Sequence, residues 1–455
     1  MTTNLEASAL DTLRQAIPGD VLEIARALAA AGHHTWVVGG SLRDQLRAVL
    51  DPTDIVQGAD WDLATDALPS VVQRLFRRVI PTGIKHGTVT VMIGRHGYEV
   101  TTLRGEADYT DGRRPDTVYF VDEIVRDLAR RDFTINAIAY DPLAHSIEDP
   151  FDGIGDLARR LIRAVGSPAE RFNEDGLRVL RAARFVATLE FDLDPATEQA
   201  IEASLESFRK VSPERVRDEW LKAMKGRTPS RAFRVMRDHG LLAVTAPLLL
   251  NPGADASEPL LDVALRAVDA SEPRMAVRFA ALLHNVGTAA AGKARADQSA
   301  ALAFDVLQSL KFSNKDRDRI VSLVRHQTPL DPDSLSDAEL RRWLRRVGPE
   351  LLEDLSAVMQ AIARAEAAAA TSPVAEVERL FERASKLLQD APPLTIGDLA
   401  VTGNDLKQEL ALPPGPVLGR LLQALLELVL DEPERNQRAL LLAAARAHLA
   451  ELNAP

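Results

Sequence analysis

The sequence predicts an α+β protein in which a mixed head of helices and strands precedes a long, almost entirely helical remainder. Short runs of β-branched residues beside glycines occur within about the first 150 residues. From about Leu157 onward, long helical periods rich in Ala, Leu, Arg and Glu follow with almost no strand signal. A length of 455 residues exceeds what one core usually holds, so several domains are expected.

The elements of the head follow in order. Residues 4–31 predict helix with a break at Pro18-Gly19, because Leu and Ile recur at three-to-four spacing. The run T-W-V-V-G-G predicts a strand that ends at two glycines. A β-hairpin is predicted by H-G-T-V-T-V-M-I and Y-E-V-T-T-L on either side of a turn at Gly94 to Gly97. In the helical part, Pro and Gly clusters predict breaks near 226–229, 248–253, 330–334 and 391–395.

Composition excludes several classes of site. With no cysteine there are no disulfides, thiolate metal sites or cysteine nucleophiles, so any metal must bind carboxylates or histidines. The chain shows no apolar run of membrane-spanning length and no secretory leader, which predicts a cytoplasmic protein without a membrane partner. A net charge of -11 argues mildly against nucleic-acid binding. Between Arg159 and Arg184, however, there are seven arginines and three acidic residues, which predicts a local surface that can bind anions.

Two groups near the N-terminus suggest phosphate and metal chemistry. The first contains Gly39, Gly40, Ser41, Arg43 and Asp44, where backbone N–H groups and a helix start can approach a phosphate closely. The second is the pair Asp60 and Asp62. On an extended segment the two carboxylates would point the same way, with alpha carbons about 6 to 7 Å apart, which suits one or two Mg²⁺ ions. An isolated Asp-X-Asp pair is more often a solvated turn.

Further segments resemble one family. In order, the chain carries G-G-S-L-R-D, D-W-D, T-G-I-K-H-G-T-V-T-V, Y-E-V-T-T-L-R, A-R-R-D-F-T-I-N-A-I, E-D-P-F-D-G-I-G-D-L and E-D-G-L-R-V-L-R-A-A-R-F. This series closely resembles the class II tRNA nucleotidyltransferases, the CCA-adding enzymes and their poly(A) polymerase relatives. The resemblance implies a polymerase β-like nucleotidyltransferase head with a mixed sheet at 1–157. A helical neck with a base-reading helix at 158–226, a helical body at 227–392 and an RNA-binding tail at 393–455 would follow.

The same resemblance implies roles for particular residues. It assigns Asp60 and Asp62 to catalytic Mg²⁺, with Glu99 as a third carboxylate or, alternatively, an ordinary strand-edge residue. It assigns the nucleotide to Gly39, Gly40, Arg43, Arg131 and Asp132, with Asp132 contacting the sugar. Asn136 is open between a nucleotide contact and a buried amide that fixes a loop.

The segment from Glu174 holds the candidate base reader. The resemblance implies that Asp175 and Arg178 hydrogen-bond the edge of the incoming base, since a carboxylate accepts from the exocyclic amine of C or A and a guanidinium donates to the adjacent ring acceptor. On one continuous helix, Arg181 and Arg184 would wind away, leaving Arg184 nearly opposite Asp175. Arg181 and Arg184 are therefore assigned to the nucleotide or to bracing the helix. The alternative for all four is a set of surface ion pairs.

Three further segments bear on specificity. The polar stretch from Arg104 to Pro115 resembles the family's flexible loop and argues against a CC-only enzyme, while the lack of a G-R-R-F-like sequence favours a CCA-adding or A-adding one. R-F-A-A-L-L-H-N-V-G resembles a histidine-aspartate phosphohydrolase segment in which Asn285 replaces the metal-binding Asp, so we expect His284 and His326 to be remnants without phosphohydrolase activity. Residues 399–419 resemble the family's C-terminal domain, which helps to hold tRNA.

The sequence therefore predicts a Mg²⁺-dependent enzyme that adds CCA from CTP and ATP to the 3′ end of tRNA and releases pyrophosphate. An A-adding enzyme or poly(A) polymerase acting on another RNA 3′ end is the alternative within the family. A non-catalytic RNA-binding protein is the alternative outside it. The sequence leaves the oligomeric state open.

Overall fold

The computed structural model describes residues 10–51, 53, 60–106, 118–251, 259–287, 292–366, 372–412 and 415–452. The chain divides into two compact units, Met1–Thr245 and Ala246–Pro455, and each is described by itself. Within the described residues, no helix has both the length and the apolar character needed to cross a bilayer.

The first unit contains all the strands of the described chain. They are β1 Thr35–Val38, β2 Asp62–Thr65, β3 Val79–Gly83, β4 Thr88–Ile93, β5 His96–Thr102, β6 Arg104–Glu106, β7 Val118–Phe120, β8 Ala139–Asp141, β9 Ser146–Glu148, β10 Leu161–Ile162 and β11 Asp192–Leu193. The predicted hairpin of β4 and β5 is confirmed, with a turn at Gly94-Arg95 that is two residues shorter than predicted.

Seven strands form one mixed sheet in the order β3-β4-β5-β2-β1-β8-β9. The β2–β5 pair is parallel and the other neighbours are antiparallel. All four residues of β1 are buried, because a central strand is covered on both faces. The predicted mixed sheet is confirmed, and its register places Asp62 opposite Val38 on one side and Glu99 on the other.

The helices of the first unit surround this sheet and then continue beyond it. Besides a helical stretch at residues 10–16, they are α1 Gly19–Ala30, α2 Gly40–Leu50, α3 Pro69–Leu75, α4 Ile124–Ala129, α5 Gly153–Arg159, α6 Pro168–Glu174, α7 Leu177–Leu189, α8 Pro195–Ala203, α9 Leu205–Phe208, α10 Pro213–Ala223, α11 Ser230–Asp238 and α12 Leu241–Thr245. The break predicted at Pro18-Gly19 is confirmed, since α1 begins at Gly19 with Pro18 as its N-cap.

Helix α7 is the centre of the part that follows the head. Its buried residues include Val179, Leu180, Ala183 and Val186, and it packs against α10 and α11. The two-residue strands β10 and β11 form a small parallel ladder beside it that the sequence did not predict. Helical structure otherwise dominates from residue 153 onward, as predicted.

The described part of the second unit contains helices and no strands. Its helices are α13 Leu260–Ala270, α14 Met275–Leu283, α15 Lys293–Ser309, α16 Asn314–His326, α17 Asp337–Val347, α18 Leu352–Glu366, α19 Ser372–Gln389, α20 Gly403–Glu409, α21 Pro416–Asp431 and α22 Arg438–Leu452. Local sequence fixes several helix starts, as at α17, where Ser336 and Glu339 form a capping box.

Candidate active site

Two acidic side chains meet at the centre of the head sheet. Asp62 is the first residue of β2 and lies in register with Glu99 of the parallel strand β5, so both project from the same face. Burial raises the pKa of Asp62 to about 6, and the negative charges of Glu99 and Asp60 add to the effect while Arg131 opposes it. The carboxylates therefore carry negative charge that the protein does not fully neutralise, which favours a bound cation.

Asp60 is placed differently from Asp62. It precedes β2 and is exposed, and its carbonyl accepts a hydrogen bond from the hydroxyl of Ser41 at 2.5 Å. Among the described residues, no group of three or more His, Asp or Glu side chains is arranged to hold a metal ion. Asp62 and Glu99 supply two adjacent oxygen ligands, a donor set that suits a hard divalent cation that keeps waters or phosphate oxygens as its other ligands.

The loop between β1 and α2 lies directly against Asp62. Gly39 has a φ of +86°, and a Cβ on it would lie 2.8 Å from Asp62 Oδ2. Only glycine satisfies both requirements. Helix α2 starts at Gly40, so its N-terminal N–H groups lie beside the carboxylates.

Asn136 connects three of the predicted nucleotide-binding residues. Its Oδ1 accepts from Arg43 Nη1 at 2.9 Å, and its Nδ2 donates to Asp132 Oδ1 at 3.1 Å. Its main-chain carbonyl accepts from Arg131 Nη1 at 3.2 Å. The buried amide therefore fixes the relative positions of these side chains, as the loop-fixing role predicts. Asn136 also lines the cavity described below, so a nucleotide contact stays a prediction.

The segment E-D-P-F-D-G-I-G-D-L holds the turn that contains Asn136 in position. Asp156 is completely buried and accepts from Thr134 Oγ1 at 2.5 Å, Arg159 Nη2 at 2.6 Å and Arg163 Nε at 2.8 Å. Because Thr134 begins the short turn that contains Asn136, Asp156 holds that turn in place. The sequence had assigned this segment no role.

Asp132 forms a close ion pair with the helix α7. Arg181 Nε donates to Asp132 Oδ2 at 2.7 Å. Burial by itself would raise the pKa of Asp132, but Arg181 and the hydrogen bond from Asn136 hold it well below its usual range. Asp132 is therefore an ionised acceptor at the cavity wall.

The predicted position of Asp175 is wrong in one respect. Asp175 does not lie on a helix with Arg178, because it adopts an extended conformation between α6 and α7. At Gly176 a Cβ would lie 2.3 Å from the carbonyl oxygen of Ser207, so packing against α9 sets the chain path there. Arg215 of α10 then binds Asp175 through both Nη atoms, at 3.1 and 2.7 Å.

Arg178 is oriented from several sides. It lies in the first turn of α7, is 8% exposed, and donates to Glu174 Oε2 at 2.6 Å. It also donates to the main-chain carbonyls of Arg171 and Arg130, each at 2.9 Å. These contacts hold the guanidinium in one direction.

Arg184 is paired with Glu219 of α10, with Nε and Oε2 2.5 Å apart. Burial lowers the pKa of Arg184, an effect that the buried carboxylate of Glu219 opposes. The sequence prediction missed both Arg215 and Glu219. A signal existed for Glu219, because it shares the buried face of α10 with Val216 and Trp220 at helical spacing, where a charge needs a partner.

One cavity of about 830 Å³ joins these groups. The predicted residues that line it are Gly39, Gly40, Arg43, Asp62, Glu99, Arg131, Asp132, Asp175, Arg178, Arg181 and Arg184. Asp60 is not among the described residues that line it. The expectation that Arg184 faces away from Asp175 is wrong, since both line this cavity and Asp175 lies off the helix.

The predicted features of the second unit lie elsewhere. His284 is 3% exposed and its Nδ1 donates to the carbonyl of Ala281 at 2.8 Å, while Asn285 Nδ2 donates to the carbonyl of Leu260 at 2.8 Å. His326 is the last residue of α16, and burial lowers its pKa. Most of the predicted flexible loop lies outside the described residues. Its first three residues, Arg104–Glu106, are described and form β6.

Three family models match the chain. Residues 35–163 match the poly(A) polymerase head domain, residues 190–251 match the RNA- and SrmB-binding site of polymerase A, and residues 295–445 match a tRNA nucleotidyltransferase domain 2. The sheet, its carboxylates and the first of these matches define a nucleotidyltransferase head of the poly(A) polymerase class.

Individual relatives extend the match. The CCA-adding enzyme of Lactobacillus johnsonii is 46% identical over 48% of this chain and 53% of its own length, so the chain matches about half of that relative. The CCA-adding enzyme of Lactobacillus delbrueckii subsp. bulgaricus is 36% identical over 96% of this chain and 98% of its own. The chain belongs to the CCA-adding enzyme family.

Solved structures agree. The crystal structure of the Bacillus stearothermophilus CCA-adding enzyme in complex with CTP superposes with a TM-score of 0.74 at 30% identity, covering 95% of this chain and 98% of that one. The Thermotoga maritima CCA-adding enzyme complexed with tRNA superposes with a TM-score of 0.55 at 18% identity, over 95% and 96% of the two chains, which shows the shared fold. Nucleotidyltransferases of this family generally use divalent metals.

Proposed function

We propose that this protein adds C, C and A from CTP and ATP to the 3′ end of tRNA, releasing pyrophosphate at each step. The main observation behind the proposal is that the carboxylates of Asp62 and Glu99 line the same cavity as the Asp175–Arg178 pair. The reaction is attack of an RNA 3′-hydroxyl on the α-phosphorus, in line with the leaving pyrophosphate.

The proposed cofactor is Mg²⁺. Asp62 and Glu99 would hold it, with Asp60 beside the strand as a further oxygen ligand. Bound there, the ion neutralises phosphate charge and lowers the pKa of the attacking hydroxyl. The raised pKa of Asp62, caused by burial and by the neighbouring carboxylates, supports a site that gains stability when a cation binds.

The triphosphate is proposed to bind at the β1–α2 loop. Gly39 and Gly40 lie at the start of α2, where the first backbone N–H groups have no partner within the helix. Arg43 supplies positive charge held in place by Asn136. Arg131 lines the same cavity, and the ionised Asp132 is placed to accept from a ribose hydroxyl. Contacts within the protein already hold these side chains in place, so little ordering is required when the nucleotide binds.

Selection of the base is proposed for Asp175 and Arg178. C and A each present an exocyclic amine beside a ring acceptor, which matches a carboxylate acceptor beside a guanidinium donor, whereas G and U present other edges. Arg215 and Glu174 orient this pair without a nucleic-acid template. Arg181 and Arg184 bind Asp132 and Glu219, which supports a bracing role for them.

The body at 227–392 and the tail at 393–455 are proposed to hold the body of the tRNA, since residues 295–445 match a tRNA nucleotidyltransferase domain. We place the reaction in the cytoplasm, where tRNA is processed in the bacteria that carry the relatives.

The decisive experiment supplies purified protein with tRNA that ends before CCA and with CTP, ATP or both. A CCA-adding enzyme incorporates two C residues from CTP alone and completes CCA with both nucleotides. We expect Asp62→Asn to bind tRNA but to lose incorporation by about a thousandfold or more, since metal stabilisation of the transition state is worth several kcal/mol.

Other outcomes contradict the proposal in distinct ways. Addition of a single A to tRNA ending in CC, with no use of CTP, identifies an A-adding enzyme. Long A tails on unrelated RNA identify a poly(A) polymerase. Tight tRNA binding with no incorporation at any divalent metal concentration identifies a non-catalytic RNA-binding protein.

A further inference from the structure

A pair of threonine hydroxyls lies beside the carboxylates, one from the segment T-G-I-K-H-G-T-V-T-V and the other from Y-E-V-T-T-L-R. Thr88 of β4 lies opposite Thr101 of β5, and their Oγ1 atoms are 3.0 Å apart. Thr101 is two residues from Glu99 and therefore projects from the same face of the sheet. Both threonines line the cavity that contains Asp62 and Glu99.

The strand order fixes which side of Asp62 this pair occupies. Strand β2 lies between β1 and β5, so Asp62 has the Gly39–Arg43 loop on one side and Glu99 on the other. In phosphoryl transfer the attacking and leaving oxygens lie roughly in line across the phosphorus. A triphosphate held at the β1–α2 loop therefore leaves the β5 side for the attacking RNA end.

We infer that the Thr88–Thr101 hydroxyl pair binds the 2′-hydroxyl of the ribose at the RNA 3′ end. One threonine donates to the other, so the acceptor still has its own O–H, and both oxygens keep lone pairs. A ribose 2′-hydroxyl both donates and accepts, and it distinguishes RNA from DNA. The inference rests on the proposed function and assigns this pair the recognition of a ribose at the growing end.

The same wall of the cavity carries positive charge suited to the last phosphate of the strand. Arg104 and His86 line the cavity next to the threonine pair, and Arg104 Nη1 donates to the His86 carbonyl at 3.1 Å. The surface beyond Glu99 thus combines hydroxyls and a guanidinium, which matches a ribose followed by a phosphodiester.

The chain offers a matched control one strand farther out. Thr82 of β3 and Thr90 of β4 form a second hydroxyl pair, also 3.0 Å apart. Neither is among the described residues that line the cavity. Removing this pair deletes the same chemical groups from the same sheet but leaves the cavity wall unchanged.

The test compares acceptor RNAs that end in ribose or in 2′-deoxyribose. We expect wild-type protein to extend the deoxy end with kcat/KM lower by about three- to tenfold, the effect of one or two neutral hydrogen bonds. The double variant Thr88→Val/Thr101→Val should lose a similar factor on the ribose end and show no preference between the two ends, with KM for CTP unchanged within about twofold.

Two further variants complete the experiment. Thr88→Ser/Thr101→Ser keeps the hydroxyls and should retain the preference, as should Thr82→Val/Thr90→Val. If the wild type is active and the Thr88→Val/Thr101→Val variant keeps the preference for the ribose end, the result contradicts the subsite but not the proposed function. The same holds if the variant loses activity equally on both RNA ends. A wild type that extends neither end contradicts the proposed function and the subsite with it.

Discussion

At the scale of single residues, His284 shows how a side chain that resembles a metal ligand is used for packing. Its Nδ1 donates to a carbonyl, and its Nε2 has no hydrogen-bond partner among the described residues. Burial lowers the pKa of His284 to about 4. The neighbouring Asn285 donates to a carbonyl of α13. In this arrangement both side chains brace the helical unit.

We predict that His284 makes the second unit sensitive to acid. The unfolded chain takes up a proton near pH 6.5, whereas folded His284 stays neutral until about pH 4, so stability falls as the pH decreases through that window. The loss is at most about 3 kcal/mol by linkage. His284→Leu should remove this loss, and denaturant unfolding at pH 7, 6, 5 and 4 measures it. Parallel pH profiles for the two proteins would contradict the prediction.

Part of the site was predictable from local sequence. Glu99 lies on a strand whose alternation is visible in the sequence, and Gly39 follows a strand that ends at two glycines. The strand of Asp62 shows no such alternation, and the roles of all three residues came from the family resemblance. Arg215 was not predictable, because its partner Asp175 lies 40 positions away and the pairing depends on how α10 packs. Glu219 carried only the weak signal of a charge on an apolar helix face.

At the scale of elements, the start of α7 is a helix boundary that tertiary packing determines and that local sequence does not reveal. Sequence spacing predicted one helix from Glu174, but the chain straightens at Asp175 and α7 begins at Leu177. The close approach of Gly176 to Ser207 accounts for the interruption, and that contact involves a distant element. The ladder of β10 and β11 was likewise hidden, since two-residue strands have no visible alternation.

Helix α10 provides an element-scale prediction about nucleotide choice. Arg215→Met should lower the preference for CTP over UTP in kcat/KM by about tenfold, because Asp175 loses the two hydrogen bonds that orient its carboxylate. Arg217 lies on the same helix and donates to its neighbour Asp218. Arg217→Met should therefore keep wild-type preference. Single-nucleotide incorporation assays measure both, and equal preferences in the two variants would rule out the orienting role.

At the scale of the whole molecule, local charge and overall charge point in opposite directions. The chain carries a net charge of -11, yet the described lining of the cavity contains eight arginines and five carboxylates. Ion pairs within the site orient the arginines, and the acidic excess lies outside it. Overall charge was therefore a poor guide to nucleic-acid chemistry here, whereas the arginine-rich stretch between Arg159 and Arg184 was a better one.

The division into two units gives a third prediction. Every described residue that lines the cavity lies between Val38 and Arg215, within the unit Met1–Thr245. A fragment of residues 1–245 should fold and bind CTP with a Kd within about threefold of the full chain, because it contains all the described residues of the proposed nucleotide site. Its KM for tRNA should rise at least about tenfold, since the region that matches a tRNA nucleotidyltransferase domain is removed.

Calorimetry and steady-state kinetics measure these two quantities, with a thermal melt to verify that the fragment is folded. A folded fragment that has lost CTP binding would show that the second unit contributes to the nucleotide site. Unchanged KM for tRNA would show that the first unit contains the RNA site as well.

The Asp175–Arg215 pair has a consequence for accuracy. Under the proposed function, the three-letter ending of every product is stored in the packing of a few helices instead of in a base sequence. A nucleic-acid template specifies the same nucleotides as long as its covalent bonds are intact. This protein specifies them only while α7 and α10 keep their packing against each other. Heat or denaturant that loosens these helices should therefore produce wrong endings before it stops synthesis, so fidelity becomes a measure of local folding.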